Sequence, residues 1–301
     1  LNATNIGALT TTQVAAFTAT QLTHLSTTNL RALVDTQIAA LAATKIAALT
    51  TTQVGALQTT DVGELTETQI AALTATQISA LTVTNFAALA DTQIAALTAT
   101  QLASVSTAQV AALTETQTGA LTTTQVAALS TTQVRNLSAT NLSALDATQA
   151  AALTATQVAN LTNTQIAALS VGDVGELTTT QIAALTQSQV RALTATTLAA
   201  LVDTQIAALT ATQVASLTTT NVTGLTETQV GALTTTQVAA LTNSQVQALT
   251  TTNLSALDAT QVSALTTGQA RAITATQIDA LTAADVAEFT ATQLAALTTT
   301  Q

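Results

Sequence analysis

The chain has 301 residues, a formal net charge of −10 from five basic and fifteen acidic residues, and no Pro, Cys, Met, Trp or Tyr. Apolar residues make up 48% and charged residues only 7%, which argues against simple disorder, because disordered chains are poor in apolar residues and rich in charge. Five cations are too few to neutralise a phosphate backbone, so nucleic acid is not an expected partner; no apolar run reaches membrane-spanning length, and disulfides and thiolate metal sites are excluded.

The first octad spans residues 2–9 and the second 10–17, and the phase then runs to Leu297 without insertion or deletion, 37 units in all. The consensus is Thr-x-Thr-Gln-Val-x-Ala-Leu. A fixed short period predicts a solenoid, in which each unit buries its apolar face on its neighbours. No linker or shift in composition interrupts it, so 1–301 reads as one continuous array. Leu1 and the partial unit Thr298 to Gln301 do not resemble the polar caps of a finished solenoid, and the array is expected to be a segment of a longer one.

Position 1 is mostly Thr, and its replacements include Ser26, Ser106, Ser130, Ser138, Ser170, Asp146 and Asp258, which is the helix N-cap set. Gln follows three residues later and completes a capping box. Acidic residues at position 2, such as Asp35 and Glu67, suit the first turn. Arg31, Arg135, Arg191 and Arg271 at position 6 suit the last. One uninterrupted helix is excluded, because eight residues at about 100° each overshoot two turns by about 80° and would spiral the apolar stripe. Each octad is therefore predicted to be one short capped helix, with positions 5 and 8 facing inward, and the fold class is all-α. Position 3 varies little, which suggests either a tightly packed Thr or an alternative cap. The rival is a β-solenoid, favoured by Thr and Val but lacking a regular corner glycine.

Along the chain a longer period appears. Asp35, Asp91, Asp146, Asp203 and Asp258 recur every seven octads, about 56 residues, each preceded by a unit with Leu30, Phe86, Leu142, Leu198 or Leu254 at position 5. Asn29, Asn85, Asn141 and Asn253 replace Gln in those units. The motif at Asp61 and Glu64 returns at Asp173 and Glu176 and again at Asp285 and Glu288, 112 residues apart. Block duplication would explain this. So would geometry, with either two octads per 16-residue coil or 3.5 octads per superhelical turn lining the marked residues up in a row.

The chemistry is sparse. His24 is the only histidine, so a triad or a His-ligated metal site within one chain is excluded and catalytic residues are expected to be none. The pairs Asp61/Glu64, Asp173/Glu176 and Asp285/Glu288 lie at i, i+3 and are expected to share a helix face. They are the only metal candidates. Calcium needs six to eight oxygens, more than one pair supplies, so they read as solvated surface, with a weak or lattice-bridging calcium contact as the rival. No cofactor is expected, and the chain is not expected to be an enzyme.

Tracts such as Ala48-Leu49-Thr50-Thr51-Thr52-Gln53-Val54 and Ala208-Leu209-Thr210-Ala211-Thr212-Gln213-Val214 resemble the low-complexity octapeptide arrays of very large bacterial secreted or surface proteins of adhesin-like or haem-utilisation-like type. The resemblance covers the whole chain. It implies export, an adhesive or matrix role, and calcium-binding repeats nearby; with His24 alone, haem binding finds no footing here. The expected function is an extracellular or cell-surface structural element, a stalk, sheath or filament that self-associates. Two alternatives are an ice- or surface-binding adhesin module using rows of Thr, and an amyloid-like β matrix fibre.

Overall fold

The computed structural model describes residues 2–301, and within them 37 α-helices of four to six residues follow one another, one per octad, with no strand. They run from α1 (Ala3–Gly7) to α37 (Ala291–Ala296). The all-α expectation holds; the β-solenoid and the amyloid-like β fibre are set aside. The chain forms two compact units, Leu1–Ala152 and Leu153–Gln301.

Helix α7 (Thr51–Gly55) shows how one octad folds. Thr50 is extended at φ −72° and ψ 157°, and its hydroxyl accepts from the Gln53 N–H at 3.2 Å. Gln53 Oε1 accepts from the Thr50 N–H at 2.9 Å, closing the box. The Val54 N–H donates to Thr50 O at 3.0 Å and the Leu57 N–H to Val54 O at 3.2 Å. The closing leucine is extended wherever the sixth helical residue fits, as at Leu97, φ −59° and ψ 135°. Two extended residues, position 8 and the next position 1, thus reorient the chain between helices. Among the described residues no non-glycine residue has positive φ, so the bend needs no strained backbone.

Where a side chain caps a helix it does so from position 1, as at Thr10, Thr50 and Thr98, which rules out the shifted frame; Val34, Ala42, Gln58, Ala90 and Val202 hold the same position without a side-chain cap bond. Position 3 is the second helical residue and is exposed at Thr12, Thr52 and Thr68, so tight packing does not explain its uniformity. Positions 5 and 8 are buried as expected: Val54 and Ile70 are fully covered and Leu73 and Leu81 nearly so. Each such side chain contributes about 1.5–3 kcal/mol of burial, which stabilises helices far too short to persist alone.

The structure adds one feature absent from the sequence reading. Position 4 is buried too, and its glutamine works at both ends. In α13 (Ala99–Ser104), Gln101 Oε1 accepts from its own cap, the Thr98 N–H, at 2.6 Å. Its Nε2 donates to Ile70 O at 2.9 Å and Leu73 O at 2.6 Å, in the octad four units earlier. The same reach of 28 to 31 residues recurs at Gln53, Gln69, Gln93, Gln125, Gln213, Gln237 and Gln269. Helices themselves pack on the neighbour three units away: α10 (Ala75–Ala80) touches both α7 and α13. A unit that packs on n+3 and hydrogen-bonds to n+4 makes a turn of about 3.5 octads. This overturns the 16-residue coil. It also places units seven octads apart two turns along on the same side, within each compact unit. The close n+3 approach is visible at Gly55, where an added Cβ would lie 2.8 Å from Ala80 O.

Replacing Gln101 with Ala is expected to cost about 2 kcal/mol, because buried carbonyls of the preceding turn lose their donor. Gln101→Glu should cost more at neutral pH, since it sets a carboxylate against those carbonyls while keeping the cap acceptor. Urea denaturation with hydrogen exchange at α9 (Glu67–Ala72) and α13 would resolve the two effects; equal stability of both variants and the native chain would contradict the ladder.

Candidate functional site

With positions 4, 5 and 8 buried, the outer surface is built from positions 1, 2 and 3 and parts of positions 6 and 7. Thr hydroxyls at position 1 serve as cap acceptors, while those at position 3 lie exposed; some pair with the cap hydroxyl, as in Thr74 and Thr76 at 3.0 Å. His24 is exposed, and its Nδ1 donates to Thr20 O at 2.7 Å, an ordinary C-terminal helix contact. The surface depressions are shallow. One is lined by Glu227, Thr251, Thr252, Ser255, Ala256 and Ala280.

The three carboxylate pairs are placed differently from the sequence expectation. Position 4 points inward as the third helical residue, and position 7 closes the helix. In α8 (Thr59–Gly63), Asp61 is only 2% exposed and its Oδ2 accepts from the Gln58 N–H at 2.8 Å, whereas Glu64 is exposed. The pair at Asp61 and Glu64 therefore does not share one accessible face. Asp173 and Asp285 occupy the same box position, accepting from the Ser170 N–H at 2.7 Å and the Thr282 N–H at 2.8 Å; they and Glu176 and Glu288 are half-buried. Among the described residues no group of three or more His, Cys, Asp or Glu side chains is gathered as a metal site.

An aspartate at position 4 cannot donate to the preceding turn as glutamine does, and residues thirty positions earlier answer the change. Ser255 Oγ donates to Asp285 Oδ2 at 2.8 Å. The Arg31 charge favours ionised Asp61. The outcome differs between the two. Burial pushes the Asp61 carboxyl above the usual carboxylate range, the Gln58 N–H opposing it, with Asp35 raising it further and Arg31 lowering it. The Thr282 N–H and then the Ser255 hydroxyl hold Asp285 below that range. Asp146 and Asp258, exposed N-caps, are also held low, first by the hydroxyls of Thr148 and Thr260 and then by the N–H groups of Gln149 and Gln261.

Opposite signs follow for stability. A raised folded pKa means that the contribution of Asp61 is present when it is protonated and is lost as pH rises through the raised value. Asp61→Asn should therefore raise the thermal midpoint at pH 7, with the gain shrinking below the carboxylate range. Asp285 contributes above its ordinary range and loses that contribution as pH falls through the lowered value. Asp285→Asn should lower the midpoint at pH 7, and the two curves should converge in acid. Calorimetry from pH 3 to 7 checks both; shifts of the same sign would refute the assignment.

No helix among the described residues is long and apolar enough to cross a membrane. The model of a family described as the ALTTAQ repeat matches residues 94–131, a stretch that includes Ala-Leu-Thr-Thr-Thr-Gln at 120–125. No curated protein matches the chain. Over 94–131 the chain is similar to the ALTTAQ repeat, and as a whole it is a repeat protein folded as an α-solenoid of short helices.

Proposed function

We propose that this chain is a structural element rather than an enzyme, part of an extracellular or cell-surface stalk, sheath or filament that associates with further copies of itself. The observation that carries the reading is the self-propagating bond set. The consensus octad supplies its own cap, two core side chains and a glutamine that fastens it to the preceding turn, so length can be extended one octad at a time without new chemistry. The carboxylates belong to this scheme as cap acceptors and surface charges. Export and a matrix or adhesive role are what the resemblance to bacterial surface arrays adds.

Purified chain should show concentration-dependent growth in light scattering and elongated assemblies by electron microscopy. A compact monomer at every concentration would defeat the proposal.

A second reading is favoured by one observation, the exposure of the position 3 threonines, whose hydroxyls are not cap acceptors. Such rows could order water or bind a flat surface. Thermal hysteresis or ice shaping by the intact chain would support that reading, and unmodified ice growth would remove it.

A further inference from the structure

We propose that the acidic side of each compact unit docks laterally on the arginine-bearing side of a unit in a second copy of this chain. This rests on the self-associating reading above and names the two faces involved.

The superhelical geometry sorts the charges. In Leu1–Ala152, α1, α5 (Asp35–Ala39), α8, α12 (Asp91–Ala96), α15 (Glu115–Gly119) and α19 (Ala147–Ala152) stack on successive turns by alternating steps of four and three units. Gln37 Nε2 donates to Leu9 O at 2.5 Å, Gln93 Nε2 to Leu65 O at 2.5 Å and Gln149 Nε2 to Gly119 O at 2.8 Å; α5 packs on α8, and α12 on α15. Six of the seven acidic residues of this unit lie on that stack and only Glu67 lies off it; Asp61 is turned inward, so five of the six, Asp35, Glu64, Asp91, Glu115 and Asp146, form its exposed acidic face. In Leu153–Gln301 the equivalent stack is α22 (Val171–Gly175), α26 (Asp203–Ala208), α29 (Glu227–Gly231) and α33 (Ala259–Ala264), joined by Gln205 Nε2 to Leu177 O at 2.7 Å, α26 on α29, and Gln261 Nε2 to Gly231 O at 3.0 Å. It carries Asp173, Glu176, Asp203, Glu227 and Asp258, five of the eight acidic residues of this unit; Asp279, Asp285 and Glu288 lie in the octads that follow it. The same stacks hold three of the large aliphatic side chains left open to solvent, Val34, Val171 and Val202, which are 49%, 50% and 56% exposed.

The outward cations lie elsewhere. Arg135 ends α17 (Thr131–Arg135), which is tied to the octad of α13 by Gln133 Nε2 to Val105 O at 2.9 Å; α13 in turn packs on α10. In the second unit Arg191 is on α24 (Gln187–Ala192) and Arg271 on α34 (Thr267–Ala272), in a stack with α27 (Ala211–Ser216) and α31 (Asn243–Ala248). Neither stack contains an Asp or a Glu, and all three arginines are exposed. The other two cations are engaged within the fold: Arg31 Nε donates to Ala56 O, and Lys45 Nζ to Ala15 O.

Like faces therefore repel and unlike faces attract. The exposed valines can pack on the Ala and Thr side chains and the aliphatic arginine stems of the opposing stack. Because the two faces are different patches, the contact is heterologous and leaves one of each free on every pair, so association continues sideways into sheets or bundles. A second copy is the occupant that charge complementarity selects, since each of its compact units brings an acid-free, arginine-bearing stack, with Arg135 in the first and Arg191 and Arg271 in the second.

The test is sedimentation velocity of the full chain at 50 and 500 mM NaCl, with and without EDTA, beside the triple variants R135E/R191E/R271E and R135K/R191K/R271K. Circular dichroism confirms folding, which substitutions at exposed position 6 should leave intact. The expected result is association about tenfold weaker at high salt and about tenfold weaker in the Glu variant, retained in the Lys variant and indifferent to EDTA. Native-like association of the Glu variant, or association that strengthens with salt, would overturn the proposal while sparing self-association itself. Loss on EDTA addition would show acidic faces bridged by divalent ions instead. Native chain that never associates would overturn both this and the broader reading.

Discussion

One side-chain amide holds this fold together. The glutamine at position 4 accepts from its own helix cap and donates to the backbone of the turn before, so the same group that starts a helix also fixes where that helix sits. A helix of five residues has almost no stability of its own, and its unpaired terminal groups are a large share of its backbone. The cap answers the N-terminal donors. The cross-turn bond answers carbonyls at the C-terminal end of a helix about one turn earlier. The hydrophobic residues at positions 5 and 8 supply most of the burial, yet they are directionless; the amide selects the register.

Departures from the consensus show the same logic. Lys45 replaces the glutamine and still delivers a donor to Ala15 O. Asn85 and Asn141 reach only the carbonyl 28 residues earlier, Leu57 O at 2.6 Å and Leu113 O at 2.8 Å. In the units of Asn29, Asn141 and Asn253 the methylene lost at position 4 is regained by Leu at position 5, a volume-conserving exchange. Asp61 and Asp285 remove the donor altogether, and Arg31 and Ser255 stand opposite them.

What was legible in the sequence was whatever is local. Caps, the inward pair and the break between helices follow from spacings of three and eight residues, and they appear as expected. The burial of glutamine was not legible, because its partners are backbone carbonyls 28 to 31 residues away, and carbonyls carry no residue signature. The expectation that Asp61 and Glu64 share a face failed for a related reason: in so short a helix, position 4 is already turned into the core. The period of seven octads was readable from Asp35 and its successors. Gly7, Gly63, Gly119, Gly175 and Gly231 mark it as well, a signal that averaging over the octad consensus hides. Choosing between 2 and 3.5 octads per turn required the contacts themselves.

The cross-turn amide bonds all point one way. In each, the donor belongs to the later residue and the acceptor to the earlier one, as in Gln53 to Leu25 and Gln245 to Leu217. A chain made or exported from its N-terminus thus completes each turn of acceptors before the matching donors arrive. Every new octad meets a finished template rather than a search problem, and no cross-turn glutamine waits for a carbonyl that lies farther ahead. Growth of the solenoid is thereby directional, like a zipper whose slider is the emerging chain.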